Sequence, residues 1–244
     1  MPPTLFVSDL HLAPERPALL AAFSAFCAGP ARAAAAVYVL GDLFDAWIGD
    51  DQLRDPVAAT VAHDLRGVAD AGIGVHLMHG NRDFLLGGRF AGAAGATLMP
   101  EQVVVDLFGT PTLLLHGDEM CTDDKSYQRY RARTRNPAWQ RSYLALPYFA
   151  RRAVARWLRR KSRDETARKP DSILDVTSAA VENAFRDSGV IRMIHGHTHR
   201  PARHHVMVDG RDCERRVLAD WYDRGSYLEV DEAGARTHDV AAPA

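Results

Sequence analysis

Seven side chains, scattered along 244 residues in five short blocks, are of types that bind divalent cations. They are Asp9 and His11 in DLH (9–11), Asp42 in GD (41–42), Asn81 in GNRD (80–83), His116 in HGD (116–118), and His197 and His199 in GHTH (196–199). Carboxylate and amide oxygens mixed with imidazole nitrogens suit manganese, iron or zinc better than calcium, and no thiolate takes part. Asp42 is an acid placed to give one oxygen to each of two cations. Asp9 and His11, two residues apart, would face the same side if the preceding strand stayed extended through them. A single histidine after a strand is most often a hydrogen-bonded structural residue. Seven ligand-capable residues, each soon after an apolar run, are not explained that way.

The elements that must position them are legible as apolar, β-branched runs at 5–7, 37–40, 75–78, 103–107, 113–115 and 191–194, the pattern of buried strands. Weaker runs at 206–208, 216–219 and 226–230 predict an antiparallel sheet in the C-terminal part. Helical patterns cover 17–28, 56–71 and 172–186, the first two opening on Pro17 and Pro56, which fit a first helical turn. The fold class is therefore α/β with two sheets.

At this length about 70–75% of the unfolded surface can be buried, which fits one large domain. Three cysteines, Cys27, Cys121 and Cys213, without close spacing, argue for a reducing compartment rather than a disulfide framework. The opening residues predict no secretory signal, and no stretch reaches the ~20 apolar residues of a membrane span. The net charge of −1 conceals an uneven distribution, because 13 basic residues and no acidic one fall between Lys125 and Arg163. This stretch belongs to an insert, 122–169, broken by Asn136-Pro137 and Leu146-Pro147 and expected to form a cap of two or three short helices. The core is then 1–121 with 170–244. Solvated helix faces usually mix both signs, so something anionic is expected to meet the insert.

These blocks resemble the calcineurin-like metallophosphoesterase superfamily, whose D-x-H, GD, GN, H and GH-x-H pattern is filled at every ligand position across 9–199. The resemblance implies a four-layer α/β/β/α sandwich of two mixed sheets. It also implies that Asp9, His11, Asp42 and His199 hold one cation while Asp42, Asn81, His116 and His197 hold the other. Such a pair activates water for phosphoester hydrolysis. Many members carry a histidine after the GN asparagine, whereas this chain has Arg82. An arginine stays charged and cannot be the general acid; it offers forked donors to phosphate oxygens instead. A leaving group that needs no proton is thereby favoured, which points to a pyrophosphate bond, with Arg82, Asp42 and Asn81 as the catalytic set.

Longer matches, LGDLFDAWIGDD at 40–51, HGNRDFLLG at 79–87, CTDD at 121–124 and HGHTHRP at 195–201, resemble the family of diphosphatases acting on UDP-2,3-diacylglucosamine in lipid A synthesis. That resemblance implies two Mn2+ per chain and water attack at the α-phosphorus. It implies substrate contacts at Asn81, Arg82, Asp124, Ser162, Thr166, Lys169 and His197. Thr166 departs from the asparagine frequent there and keeps only a hydroxyl. In this reading Leu144, Leu146, Tyr148, Phe149, Val154, Trp157 and Leu158 wall an acyl groove, at ~0.8 kcal/mol per buried methylene. Arg151, Arg152, Arg156, Arg159, Arg160 and Lys161 face anionic lipid. The expectation is a cytoplasmic monomer, peripheral on the inner membrane, with no nucleic acid partner. A nuclease of the same superfamily would also use a basic strip with interleaved aromatics, and a non-catalytic membrane-docking scaffold is the reading from another class. Asp45, Asp50 and Asp51 are expected to be solvated loop acids, and His63, His76, His79, His204, His205 and His238 structural or surface residues.

Overall fold

The structure, a computed structural model, describes residues 1–240 apart from 167–168, 171–172 and 223, with backbone alone over 161–166. Strands β1 (Thr4–Val7), β2 (Ala36–Leu40), β3 (Gly74–Met78) and β4 (Thr97–Leu98) run in parallel, each paired with the next. The second sheet holds β5 (Gln102–Leu107), β6 (Thr110–Leu115), β7 (Arg192–His195), β8 (Ala202–Val208) and β9 (Arg211–Val217) in the order β5-β6-β7-β9-β8. Its three central strands are parallel and its edges antiparallel. The first sheet is completed by β10 (Ser226–Asp231), antiparallel to β1, and by β11 (Gly234–Asp239) at its edge.

Alternation along the strands builds the layers, because successive side chains point to opposite faces. Leu5 and Val7, Val37 and Val39, and Val75 and Leu77 pack against α1 (Pro17–Ala28), α2 (Pro56–Asp70) and α3 (Gly88–Ala94). The intervening Phe6, Leu40 and Met78 meet Leu114 and Ile194 of the other sheet and Leu218 just beyond its strand β9. Leu113, Leu115 and Met193 point outward again. The helices α4 (Lys125–Thr134), α5 (Pro137–Leu144) and α6 (Tyr148–Thr166) form the insert, capped at Asp124 and Asn136. After it, α7 (Ser178–Ser188) covers the second sheet through Val181 and Phe185. This is the four-layer order of two mixed sheets between helices. No helix of the described residues is long and apolar enough to cross a membrane.

The C-terminal part differs from the single antiparallel sheet expected for it. It forms two hairpins, one at the edge of each sheet. Asp209 and Gly210 both have positive φ, 49° and 78°, the two-residue turn that matches the strand twist and closes β8–β9. The chain then crosses between sheets: Leu218 N donates to His195 O at 2.7 Å and Trp221 N to Asp9 O at 3.0 Å. The root of the insert is also closed. Thr122 and Thr177 join through their hydroxyls at 2.7 Å, and Thr177 N donates to Met120 O at 3.0 Å.

Candidate metal centre

All five blocks lie just beyond strand ends, β1, β2 and β3 from one sheet and β6 and β7 from the other. The extended form does not continue through Asp9 and His11 as the spacing suggested. Asp9, His11, Asp42, His197 and His199 have φ of 55°, 48°, 54°, 68° and 54°, and they are five of the seven described non-glycine residues with positive φ. Left-handed backbone costs about 1–3 kcal/mol at each such residue and gathers at functional sites. Here it turns the side chains off the strand axes into one space. The turned segments brace each other, with Asp9 N on Gly41 O at 3.1 Å and His11 N on Asp42 O at 2.9 Å. Two glycines allow the approach: a Cβ on Gly80 would overlap Asp42, and one on Gly196 would overlap Ser8 and Asp9.

The seven candidate ligands form one continuous set. His199 Nε2 lies 3.3 Å from His11 Nε2 and 3.2 Å from Asp9 Oδ1. His11 Nδ1 and His116 Nε2 each lie 3.8 Å from Asp42 Oδ2. Asn81 Oδ1 lies 3.1 Å from His116 Nε2 and 3.0 Å from His197 Nδ1. Asp9, His11 and His199 make one group of converging ligand atoms, and Asp9, Asp42 and His116 another. Two facing imidazole nitrogens, and a buried His11 Nδ1 with no hydrogen-bond partner, fit cation ligands better than a hydrogen-bonded core. The donor set is nitrogen and oxygen throughout, as two divalent cations of borderline character require.

The electrostatics show what a cation would replace. Burial, reinforced by Asp83 and Asp9 against the opposing His116 and Arg82, pushes the acid of Asp42 up to about 7. Burial acts downward on the imidazoles. At His199 the hydrogen bonds to Asp220 and Asp9 overcome it and raise the ring to about 10, while at His116 the charges of Asp42, Asp9 and Asp118 raise it to about 9. His197, buried beside His116, is lowered to about 4. Protons on some members therefore neutralise the others.

Neighbouring groups hold these side chains in place. Ser8 Oγ and His197 N donate to Asp9 Oδ2 at 2.7 and 2.8 Å, and Arg82 N donates to Asp42 Oδ1 at 2.8 Å. The buried Asp83 carboxylate accepts from Gly80 N and Leu43 N, both at 2.8 Å, tying the loop after β3 to the loop after β2. Arg82 reaches Asp45 Oδ1 with Nη1 at 3.1 Å, and its Nε is 3.8 Å from Asp42 Oδ2.

The insert is joined to this centre through charge. Asp118, buried, receives Arg131 Nε at 2.8 Å and a short bond from Tyr127 Oη, and the Tyr127 ring stacks on His197 at 6.1 Å and 27°. Arg135 Nη2 donates to Gly80 O at 2.9 Å. Asp124 and Lys169 pair at 2.7 Å, and Asp124 also accepts Tyr127 N at 3.0 Å. Those two candidate substrate contacts are thus engaged with each other. Ser162 and Thr166 lie in the last turns of α6, where the side chains are outside the described residues.

Part of the basic excess has internal partners, which corrects the expectation that it all faces outward. Arg151 is buried against Asp51 and Ile48 O, and Arg159 pairs with Asp45. Asp45 and Asp51 are accordingly bonded acids, not solvated ones. Asp50 holds the start of α3 through Gly87 N, Arg89 N and Phe90 N at 2.9, 2.8 and 3.2 Å and takes Trp47 Nε1 at 3.1 Å. Arg152, Arg156 and Arg160 do face solvent, and so do Phe149 (76% exposed) and Trp157 (60%). Leu144 and Leu146 are half-exposed, whereas Val154 packs on the core and Tyr148 bonds Asp55 at 2.8 Å.

Comparison with known proteins agrees with this geometry. The calcineurin-like phosphoesterase family pattern matches residues 2–201. The chain belongs to that family. It is 50% identical over 231 residues to the UDP-2,3-diacylglucosamine hydrolase of Cellvibrio japonicus, covering 95% of this chain and 96% of that one. It is 49% identical to the protein of that name from Pseudomonas aeruginosa (95% and 96% covered) and 47% identical to that of Xanthomonas oryzae pv. oryzae (98% and 99%).

Proposed function

We propose that this chain hydrolyses the pyrophosphate bond of UDP-2,3-diacylglucosamine, releasing UMP and 2,3-diacylglucosamine 1-phosphate for lipid A synthesis. The observation that carries the reading is the convergence of Asp9, His11, Asp42, Asn81, His116, His197 and His199, with Arg82 in the place where a proton donor would otherwise stand. Asp9, His11, Asp42 and His199 would hold one cation, and Asp42, Asn81, His116 and His197 a second, taken as Mn2+. Two such cations, about 3.5–4 Å apart, lower the pKa of a shared water and neutralise charge on the phosphoryl oxygens.

The protein side chains supply the rest. Asp42 would serve both cations, its Oδ2 lying 3.8 Å from His11 Nδ1 and from His116 Nε2, and the Asp83 carboxylate fixes the backbone on which it sits. Arg82, beside Asp42, presents its guanidinium to the α-phosphoryl group, where negative charge accumulates as the bond to the departing sugar phosphate lengthens. That leaving group is already an anion, so no acid is required of Arg82. Asn81 and His197 would touch the same phosphoryl oxygens. Asp124, Ser162, Thr166 and Lys169 would bind the remainder of the substrate from the insert.

The insert, 122–169, serves as a cap on a core made of 1–121 and 170–244. Exposed Phe149 and Trp157 on α6, with half-exposed Leu144 and Leu146, offer apolar surface for acyl chains, and Arg152, Arg156 and Arg160 offer charge to anionic headgroups. The protein would work as a monomer, peripheral on the cytoplasmic face of the inner membrane. All seven candidate ligands come from one chain.

Purified protein with manganese should release UMP from UDP-2,3-diacylglucosamine, act slowly on bis-p-nitrophenyl phosphate and leave a single-stranded oligonucleotide intact. Degradation of the oligonucleotide with the lipid nucleotide untouched would overturn the proposal.

A further inference from the structure

Asp220 belongs to none of the five blocks, yet its carboxylate lies against one of the candidate ligands. Asp220 Oδ2 is 3.2 Å from His199 Nδ1. The opposite nitrogen of the same ring, Nε2, points at Asp9 Oδ1 and His11 Nε2, at 3.2 and 3.3 Å. His199 needs such a partner more than the other imidazoles of its set. Its side chain is 35% exposed, against 6% for His11 and 2% for His116, so packing restrains it least. His116 is oriented by the chain itself, its Nδ1 donating to Leu40 O at 2.8 Å. No backbone carbonyl does this for His199 among the described contacts.

The segment that carries Asp220 is anchored at both ends. Leu218 N bonds His195 O in the second sheet, and Trp221 N bonds Asp9 O beside the first. Trp221 is wholly buried, its indole Nε1 donates to Ser226 O at 2.8 Å, and its ring meets Phe23 and Phe26 edge-on at 6.3 and 6.2 Å. Asp220 is therefore held between two ligand-bearing loops, and its reach to His199 is set by backbone rather than by a flexible surface arm.

We propose that Asp220 is a positioning residue for the metal site: its carboxylate accepts the Nδ1 proton of His199, which fixes ring orientation and leaves Nε2 as the atom that meets the cation. A hydrogen-bonded carboxylate behind a ligating imidazole selects the tautomer and raises its basicity, and removing such a partner weakens metal binding by about 10–100-fold. The inference rests on the two-cation reading above and deepens it, since it names what holds the most exposed of the seven ligands.

The test is Mn2+ binding to wild-type protein, Asp220→Ala and Asp220→Asn, followed by the electron paramagnetic resonance signal of free Mn2+, with thermal melting of each metal-free protein alongside. Asparagine keeps an oxygen that can accept from Nδ1–H, whereas alanine does not. Expected are two sites in the wild type, one of them weakened at least ~10-fold in Asp220→Ala, and affinity within ~3-fold of wild type in Asp220→Asn. High Mn2+ should restore turnover of Asp220→Ala. Wild-type affinity at both sites in Asp220→Ala would overturn the role of Asp220 while leaving the two-cation centre intact. A wild-type protein that takes up no Mn2+ would overturn both, and is distinguished by needing no variant at all. If Asp220→Ala melts early without metal, Asp220→Asn decides: a 10-fold loss there, with unchanged melting, contradicts orientation by the oxygen.

Discussion

Arg82 Nη1 stands 3.1 Å from Asp45 Oδ1, and the other oxygen of Asp45 is taken by Arg159 of the insert. One carboxylate thus links the arginine nearest the candidate metal centre to helix α6. Arg82 bonds Asp42 through its backbone N alone, and its guanidinium stays apart, with Nε 3.8 Å from Asp42 Oδ2. Arg82→Ala should therefore lower turnover by about 10²–10³-fold, the usual cost of one donor to a developing anion, and leave metal content unchanged. Single-turnover rates and metal analysis on the same sample check this. Loss of metal along with activity would reassign Arg82 to holding the centre.

Asp42→Ala should lose at least one cation and essentially all turnover. Asp42 Oδ2 faces both His11 Nδ1 and His116 Nε2, Asp9 is already held by Ser8 and His197 N, and Asp83 is committed to backbone amides. Metal stoichiometry after dialysis is the measurement; two retained cations would remove the bridging role.

Asp118 ties the insert to the core. Burial works to raise its pKa, but the charges of His116, His197, Arg131 and Arg135 outweigh that and hold its carboxyl well below the usual 3.8. The sign follows: a group depressed in the folded state contributes fully above its unfolded value, and that contribution declines as pH falls from 3.8 and is lost only as pH passes through the lower folded value. Asp118→Ala should cost about 1–3 kcal/mol at neutral pH by leaving Tyr127 Oη without its acceptor and Arg131 with Glu101 alone. Urea unfolding at pH 7 and at pH 3 checks both statements, since the gap between variant and wild type should narrow in acid.

Phe149→Ser with Trp157→Ser should raise KM for the diacylated substrate by about tenfold or more, each apolar side chain being worth ~1.5–3 kcal/mol when covered. Turnover of bis-p-nitrophenyl phosphate should not move, because neither residue is among the candidate metal ligands or the candidate catalytic set. Sedimentation with anionic vesicles should fall in parallel and weaken with salt. Unchanged KM would mean the exposed face of α6 does not meet lipid.

Strand positions were readable because buried strands leave continuous apolar, β-branched runs, and the candidate ligands that converge were readable because ligand chemistry restricts residue type. Their geometry was not. Nothing in DLH announces that Asp9 and His11 leave the strand in left-handed backbone, since only φ, and not composition, decides where a short polar residue points. Helix α3 was hidden for a related reason: Gly88 and Gly92 lower its propensity, and its start depends on Asp50, which comes from 37 residues earlier in the chain. Asp220 escaped notice because a lone acid after a strand has no pattern; its partner is 21 residues back and defined only by folding. The internal pairing of Arg151 and Arg159 was likewise invisible, because a run of like charge in sequence says nothing of which members turn toward acids in the core.

The hydroxyl contact between Thr122 and Thr177 means that the chain departs and comes home through a single doorway. Strand order is indifferent to what is built outside that doorway. If the proposed apolar face of α6 sets lipid preference, chimaeras exchanged at these two threonines should carry tail-length selectivity with the insert, provided the exchanged piece keeps Tyr127, Arg131 and Arg135 against the core.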